Sequence, residues 1–196
     1  MRHNPPFLVF DTETTGLPKD PKRPAEDVDN WPRVVQLGWG LFADDGSEIE
    51  VHAPIIRPTG FTIPADSVRY HRITTEIARK KGINLQEALD RFAASVRVAR
   101  AVVAHNIAFD LPVVRAEIIR LCFDDPLRDA KALCTMVGSK DYCRIPGDRG
   151  FKFPTLAELH FCLFREKYAE THEAAADLRA CARCFFELRR LRVLDA

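Results

Sequence analysis

The chain has 196 residues, enough to bury one core and too few for two comfortable ones, so a single domain over residues 1–196 is expected. Apolar residues at 46% and charged residues at 29% exclude collagen-like, coiled-coil and disordered classes. A net charge of +1, from 29 basic and 28 acidic residues, argues against coating of nucleic acid by charge alone but leaves room for a small site that grips a strand end.

No apolar run approaches membrane-spanning length, and the N-terminus lacks an apolar segment followed by a small-residue cleavage site, so a cytoplasmic protein with no membrane contact is expected. The first element is the run LVF, residues 8–10, which stops at Asp11 and continues Asp-Thr-Glu-Thr-Thr-Gly. In a strand, residues i and i+2 point to one side, so Asp11 and Glu13 share a face. Two ionised acids held together near a core repel unless a cation lies between them, and hard oxygen ligands suit Mg²⁺ or Mn²⁺. The alternative is a polar turn, with Gly16 supplying a positive φ.

Residues 18–32 carry four prolines and many charges and read as a long irregular loop beside that strand end, placed to guide or exclude a duplex. RVVQLGWGLFA and SEIEVHAPIIR flank Asp44-Asp45-Gly46 as an antiparallel hairpin. TTEIARKKG and NLQEALDRFAASVRVA have helical spacing, with Thr74 or Thr75 and Asn84 as caps and Gly82 between them. AVVAHN is a short buried strand ending in polar groups. LPVVRAEIIRLC continues as a helix with Pro112 in its first turn, and KALCTM is a further short strand. GSKDYCRIPGDRGFKFP reads as a second irregular loop, and TLAELHFCLF and EAAADLRACARCFFELRRLRVL as helices.

Strands first, then strands alternating with helices, imply a mixed α/β sheet covered by helices, with sites at the ends of its middle strands. The six cysteines read as reduced, mostly buried thiols. Cys181 and Cys184 form a CxxC inside a helical pattern, where small core residues on one face compete with zinc or redox chemistry.

Two more patches carry acids. In AHNIAFD, His105 and Asn106 end a strand and Asp110 sits on the first turn of the next helix; a plain helix start, with Asn106 as N-cap, explains that patch equally well. In THEAAADLRA, Asp177 lies in an alanine-rich helix with His172 just before it, and a solvent-facing acid beside a structural histidine is the alternative. Taken together the patches give four carboxylates and a histidine. Two divalent ions roughly 3.5 to 4 Å apart would balance such a set and clamp a phosphodiester. A histidine with a pKa of about 6.5 suits a general base.

FDTETTG at 10–16, HNxxFD at 105–110 and HxAxxD at 172–177 resemble, in order, the three motifs of the DnaQ-like DEDDh 3′→5′ exonucleases, which include the epsilon proofreading subunit of bacterial DNA polymerase III. The resemblance implies an RNase H-like mixed five-stranded sheet, three antiparallel strands first, flanked by helices. It implies two divalent cations, Mg²⁺ or Mn²⁺, held by Asp11, Glu13, Asp110 and Asp177. Asp11, Glu13 and Asp177 would hold the tighter ion, Asp11 would bridge to the second, and Asp110 would act there partly through water, with His172 as general base. Thr14, Thr15 and Gly16, by their backbone, and Leu17, by its side chain, would receive the terminal nucleotide. YHRIT at 70–74 resembles a segment in which an isoleucine wedges between the last bases, here Ile73 beside His71, but Arg72 stands where the family has glycine. Asn106 and Phe109 would line the same pocket; ordinary packing is the alternative for Ile73, Phe109 and Leu17.

Basic residues gather at Arg69, Arg72, Arg79, Lys80 and Lys81, and again at Lys140, Arg144, Arg149 and Lys152, as phosphate tracks or as plain solvated surface. The expected reaction is release of nucleoside 5′-monophosphates from the 3′ ends of single-stranded or frayed DNA. The rivals are an RNA-trimming enzyme of the same family and a strand-end or DNA polymerase-binding module without turnover. The sequence ends soon after its last helix, without the long tail by which the epsilon subunit reaches its polymerase, so a free-standing enzyme is expected over a polymerase-associated one.

Overall fold

The structure is a computed structural model and describes residues 4–168 and 173–195. Strands β1 (Phe7–Thr14), β2 (Val34–Phe42) and β3 (Glu48–His52) form an antiparallel meander. Helices α1 (Ala65–His71), α2 (Thr75–Lys81) and α3 (Leu85–Val98) follow, then β4 (Ala101–Ala104), α4 (Ile107–Arg120) and β5 (Ala132–Cys134). Short helices α5 (Thr135–Gly138) and α6 (Lys140–Cys143) precede a small hairpin of β6 (Pro146–Gly147) and β7 (Gly150–Phe151), and α7 (Leu156–Phe164) and α8 (Ala174–Arg190) complete the order. The main sheet runs β3-β2-β1-β4-β5, with β4 parallel to both β1 and β5. This is the expected five-stranded mixed sheet, with β1 at its centre.

Period-two alternation along β1 sorts its side chains into two cores. Phe7 and Val9 pack with Leu178, Cys181 and Phe185 of α8, whereas Leu8 and Phe10 pack with Phe92 of α3 and Val113 of α4. All four β1 residues are fully buried. The α8 side is a helical stripe in which Ala174, Asp177, Leu178, Cys181, Cys184, Phe185 and Leu188 are buried. The CxxC cysteines belong to that stripe, and burial pushes the Cys184 thiol up to about 12 and the Cys181 thiol also upward. All six cysteines are free. Only Cys181 and Cys184 are buried, against the expectation of mostly buried thiols; Cys122 is exposed and the other three are intermediate.

Several expectations are revised. The proline-rich loop contains a 3₁₀ turn, Val28–Asn30, and is closely tied down. Asp20 N–H donates to Asn30 Oδ1 (2.8 Å), Trp31 Nε1–H donates to the Pro24 carbonyl (3.0 Å), and Trp31 is buried. At its end, fully buried Glu117 of α4 accepts from Arg33 Nε (2.8 Å) and from the Val34 amide (2.9 Å). Pro112 lies in the second turn of α4, because the helix begins five residues earlier, at Ile107. The second loop folds into α6 and the β6–β7 hairpin. Thr74 and Asn84 do cap α2 and α3, accepting from the Ile77 and Gln86 amides. Among the described residues no helix is long and apolar enough to cross a membrane.

Candidate active site

The alternation that builds the two cores also distributes the polar end of β1. β4 pairs with β1 only as far as Val9 and ends at Ala104, so the β4 edge of β1 is open beyond that point. Asp11 and Glu13 continue the α8 side, where Asp177, in the first turn of α8, meets them. A ligand oxygen of each of these three acids lies within 4.8 Å of the others. Thr12 continues the α4 side, where buried Asp110 fills the gap left by β4. Its Oδ1 accepts from the Thr12 amide (3.1 Å) and the Thr12 hydroxyl (2.7 Å).

Gly38 of β2, opposite Asp11, makes the approach of α8 possible. A Cβ there would sit 2.7 Å from the Ala174 Cβ and 3.0 Å from the Ala174 carbonyl group. Small residues on both elements therefore bring the first turn of α8, and Asp177 with it, onto the strand end.

Electrostatics follow from the crowding. Burial, then the charges of Asp177 and Asp110, push the Glu13 carboxyl up to about 8. Burial raises Asp110 to about 7, while the two bonds from Thr12 pull it back toward ionisation. A set of acids this close must take up protons or a cation. An all-oxygen donor set selects a hard divalent ion, so the residues present fit Mg²⁺ or Mn²⁺.

The acids open into a cavity of about 360 Å³ also lined by His105, Asn106, Met136, Phe153, Pro154 and Thr155. His105 Nε2 lies 3.1 Å from the Pro154 carbonyl, to which only an N–H can donate, and Nδ1 lies within hydrogen-bond distance (3.0 Å) of the Thr135 hydroxyl. The imidazole thereby ties the wall at residues 153–155 to the end of β4. Asn106 stands at the N-cap of α4 in the left-handed region (φ 72°), with no side-chain capping bond. A larger cavity of about 920 Å³ lies along the later turns of α8, but several of its charges pair with one another, as in Arg179–Glu48, Arg189–Asp44 and Arg190–Glu187.

The remaining expected contacts are dispersed. Thr14 Oγ1 donates to the Gly16 carbonyl (2.7 Å), the Thr15 amide donates to the Arg33 carbonyl (2.9 Å), and Gly16 has a positive φ of 148°. Leu17 is 83% exposed. Phe109 packs against the α3–α4 core. Ile73 is buried with Val35, Ile63 and Ala78, and buried His71 accepts the Ile73 amide at Nδ1 (3.0 Å). His172 lies outside the described residues.

Sequence reasoning missed Tyr168. Its hydroxyl donates to Asp177 Oδ1 at 2.5 Å, and its ring lies against His160. Nine residues separate Tyr168 from Asp177, and no helical or strand spacing links them.

The family model described as Exonuclease matches residues 8–185. A PolC-type DNA polymerase III from Mycoplasmopsis pulmonis is 32% identical over 113 residues, 58% of this chain and 7% of that protein. Among solved structures, E. coli exonuclease I in complex with a dT13 oligonucleotide superposes with a TM-score of 0.75 at 22% identity, over 96% of this chain and 43% of that one. The apo form of exonuclease I gives 0.71 at 22% identity, over 96% and 43%. The chain thus spans less than half the length of these structures and a small part of the polymerase. The family match over most of the chain, on the fold just described, makes this chain a member of the exonuclease family, of the DnaQ-like kind.

Proposed function

We propose that the chain is a metal-dependent 3′→5′ exonuclease that releases nucleoside 5′-monophosphates from single-stranded or frayed DNA ends. The observation that carries the reading is the convergence of Asp11, Glu13 and Asp177 at the end of a central strand, with Asp110 held beside them by Thr12. Asp11, Glu13 and Asp177 would hold one divalent ion, and Asp11 and Asp110 a second. Such ions supply charge stabilisation at a phosphodiester and acidify a bound water. Asp110 is kept toward its ionised form by the Thr12 donors, and Tyr168 fixes the Asp177 carboxylate. His172, five residues before Asp177, is assigned the proton of the attacking water, and Asn106 and Leu17 the terminal nucleotide.

DNA as substrate is supported by the oligonucleotide held by exonuclease I and by the PolC-type likeness, which also makes a DNA polymerase the protein partner to test by co-purification. The free thiols suit a reducing, cytoplasmic compartment.

The test is digestion of 3′-labelled and 5′-labelled single-stranded DNA and RNA of one sequence, with Mg²⁺, Mn²⁺ or EDTA, beside Asp11→Ala. Release of mononucleotides from the 3′ end of DNA, lost in EDTA and in the variant, is expected. Preference for RNA would move the substrate assignment, and no cleavage of either polymer with either metal would end the enzymatic reading.

A further inference from the structure

The wall of the acidic cavity is continuous with the β6–β7 hairpin, and that hairpin is built unlike a loop that merely closes a gap. Phe151 and Phe153 alternate with Lys152 and are 44% and 47% exposed. A hairpin of two-residue strands, which ends at Phe151, has no core in which to place that ring or the Phe153 ring that follows it, so folding gains little from them. One exposed apolar residue is unremarkable on any surface. Here three features coincide. Phe153 lies on the rim of the cavity that holds Asp11, Glu13 and Asp177. Lys140 Nζ stands 4.9 Å from the centre of its ring. Residues 140–153 carry four cations, Lys140, Arg144, Arg149 and Lys152, against two anions, Asp141 and Asp148. Lys152 is occupied by Glu158; Arg144 and Arg149 are exposed, Arg144 donating from Nε to the Asp141 carbonyl (3.1 Å).

An acidic cavity repels a phosphate chain, so a strand needs positive charge where it approaches. Aromatic rings flanked by cations suit unpaired nucleotides, since every base offers a π-face and every linkage a negative charge. We propose that the hairpin and the residues flanking it form a stacking platform for single-stranded nucleic acid, on which Phe153, just after β7, takes the face of the base next to the terminal nucleotide, and Arg144, just before β6, and Arg149 take the phosphates behind it. The proposal rests on the cavity being the nuclease site. A paired end keeps its bases stacked inside the duplex and cannot present that face, so the platform selects frayed or single strands.

The test compares wild type with Phe153→Ala, Phe153→Trp and Arg144→Ala/Arg149→Ala on two substrates. One is a ten-nucleotide single strand. The other is the p-nitrophenyl ester of thymidine 5′-monophosphate, which places a small leaving group where the rest of the strand would be. Phe153→Ala is expected to lower the ratio of kcat/KM for the strand to that for the ester on the order of tenfold, the worth of one stacked base, and Phe153→Trp is expected to keep it. In EDTA, where nothing turns over, anisotropy of the labelled strand should show weaker binding by Phe153→Ala and a shallower salt dependence for the double arginine variant. Equal losses on strand and ester, or an unchanged ratio, would overturn the platform while leaving the nuclease reading in place. A wild-type protein that cleaves neither substrate would instead overturn the reading of the cavity.

Discussion

Thr12 gives two hydrogen bonds to a single oxygen of Asp110, one from its amide and one from its hydroxyl. The amide is available because β4 stops short, so the carboxylate takes the place of a missing strand. Both bonds favour ionised Asp110 against the burial that favours the neutral acid. Thr12→Val removes the hydroxyl and keeps the shape. It should move the acid limb of the pH–rate profile upward and lower kcat/KM at neutral pH by about tenfold, within the range for a bond to a charged group. Thr12→Ser should restore both, and a profile that does not move would show the hydroxyl to be incidental.

The metal-free protein should become less stable as pH rises toward 8. Glu13 is raised from its ordinary 4.5 to about 8. Below 4.5 it is protonated in folded and unfolded chains alike. Between the two values the unfolded chain has lost the proton and the folded chain still holds it, so stability falls with pH across that window and levels off above it. Thermal melts in EDTA from pH 5 to pH 8.5 should show the decline, and Glu13→Gln should abolish cleavage and remove the fall between about 7 and 8, leaving a shallower one below about 7 from Asp110, which burial also raises. Mg²⁺ or Mn²⁺ should recover the lost Tm in wild type and not in Asp11→Ala.

Arg72 closes α1 in the left-handed conformation, at φ 61° and ψ 11°, with an exposed side chain. A residue with a Cβ pays about 1–2 kcal/mol there, and glycine returns part of that as unfolded-chain entropy. Arg72→Gly should therefore stabilise the protein by roughly 1 kcal/mol in urea unfolding. A loss of stability would mean that the arginine makes a contact worth more than the strain.

The same position shows what the sequence could convey. A glycine expected between His71 and Ile73 marks a backbone that turns left-handed, and the chain makes that turn with arginine in place. The acids of β1 were legible because a strand's period of two fixes their face whatever surrounds it, and the alanine-rich stretch marked the helix that carries Asp177. Helix α1 was not legible, since ADSVRYH lacks an apolar stripe and starts at an uncapped proline. Ile73 suits a wedge in one dimension, but the chain folds it against Val35 and Ala78, a contact set by the path of residues 53–64. Tyr168 was invisible for the corresponding reason, as its bond to Asp177 depends on how the chain passes from α7 to α8.

Tyr168 donates its hydroxyl to Asp177 Oδ1 at 2.5 Å. Groups that orient a metal-binding carboxylate typically matter ten- to hundredfold in metal affinity or activity. Tyr168→Phe should weaken Mn²⁺ binding, measured by calorimetry, by about that factor and lower kcat in parallel, with KM for the strand unchanged. Loss of Tm with unaltered Mn²⁺ affinity would assign the tyrosine to packing against His160.

Gly38 and Ala174 set the distance between β1 and Asp177, and they provide the sharpest separation of stability from catalysis. Gly38→Ala would place two Cβ atoms 2.7 Å apart, so the start of α8 must move outward. Overpacking of this kind costs about 1–3 kcal/mol, which a folded domain can absorb. The acids have less latitude, because Asp177 rides on the same turn as Ala174 and a displacement of about 1 Å at a reacting centre costs on the order of a hundredfold in rate. Activity should therefore fall by about two orders of magnitude in a variant that still melts cooperatively. Adding Ala174→Gly removes the closest of the clashing atoms and leaves the 3.0 Å approach to the Ala174 carbonyl group, so the double variant should recover part of the rate. Recovery of Tm without recovery of rate would show that Gly38 serves the packing of the sheet and that Asp177 is placed by something else.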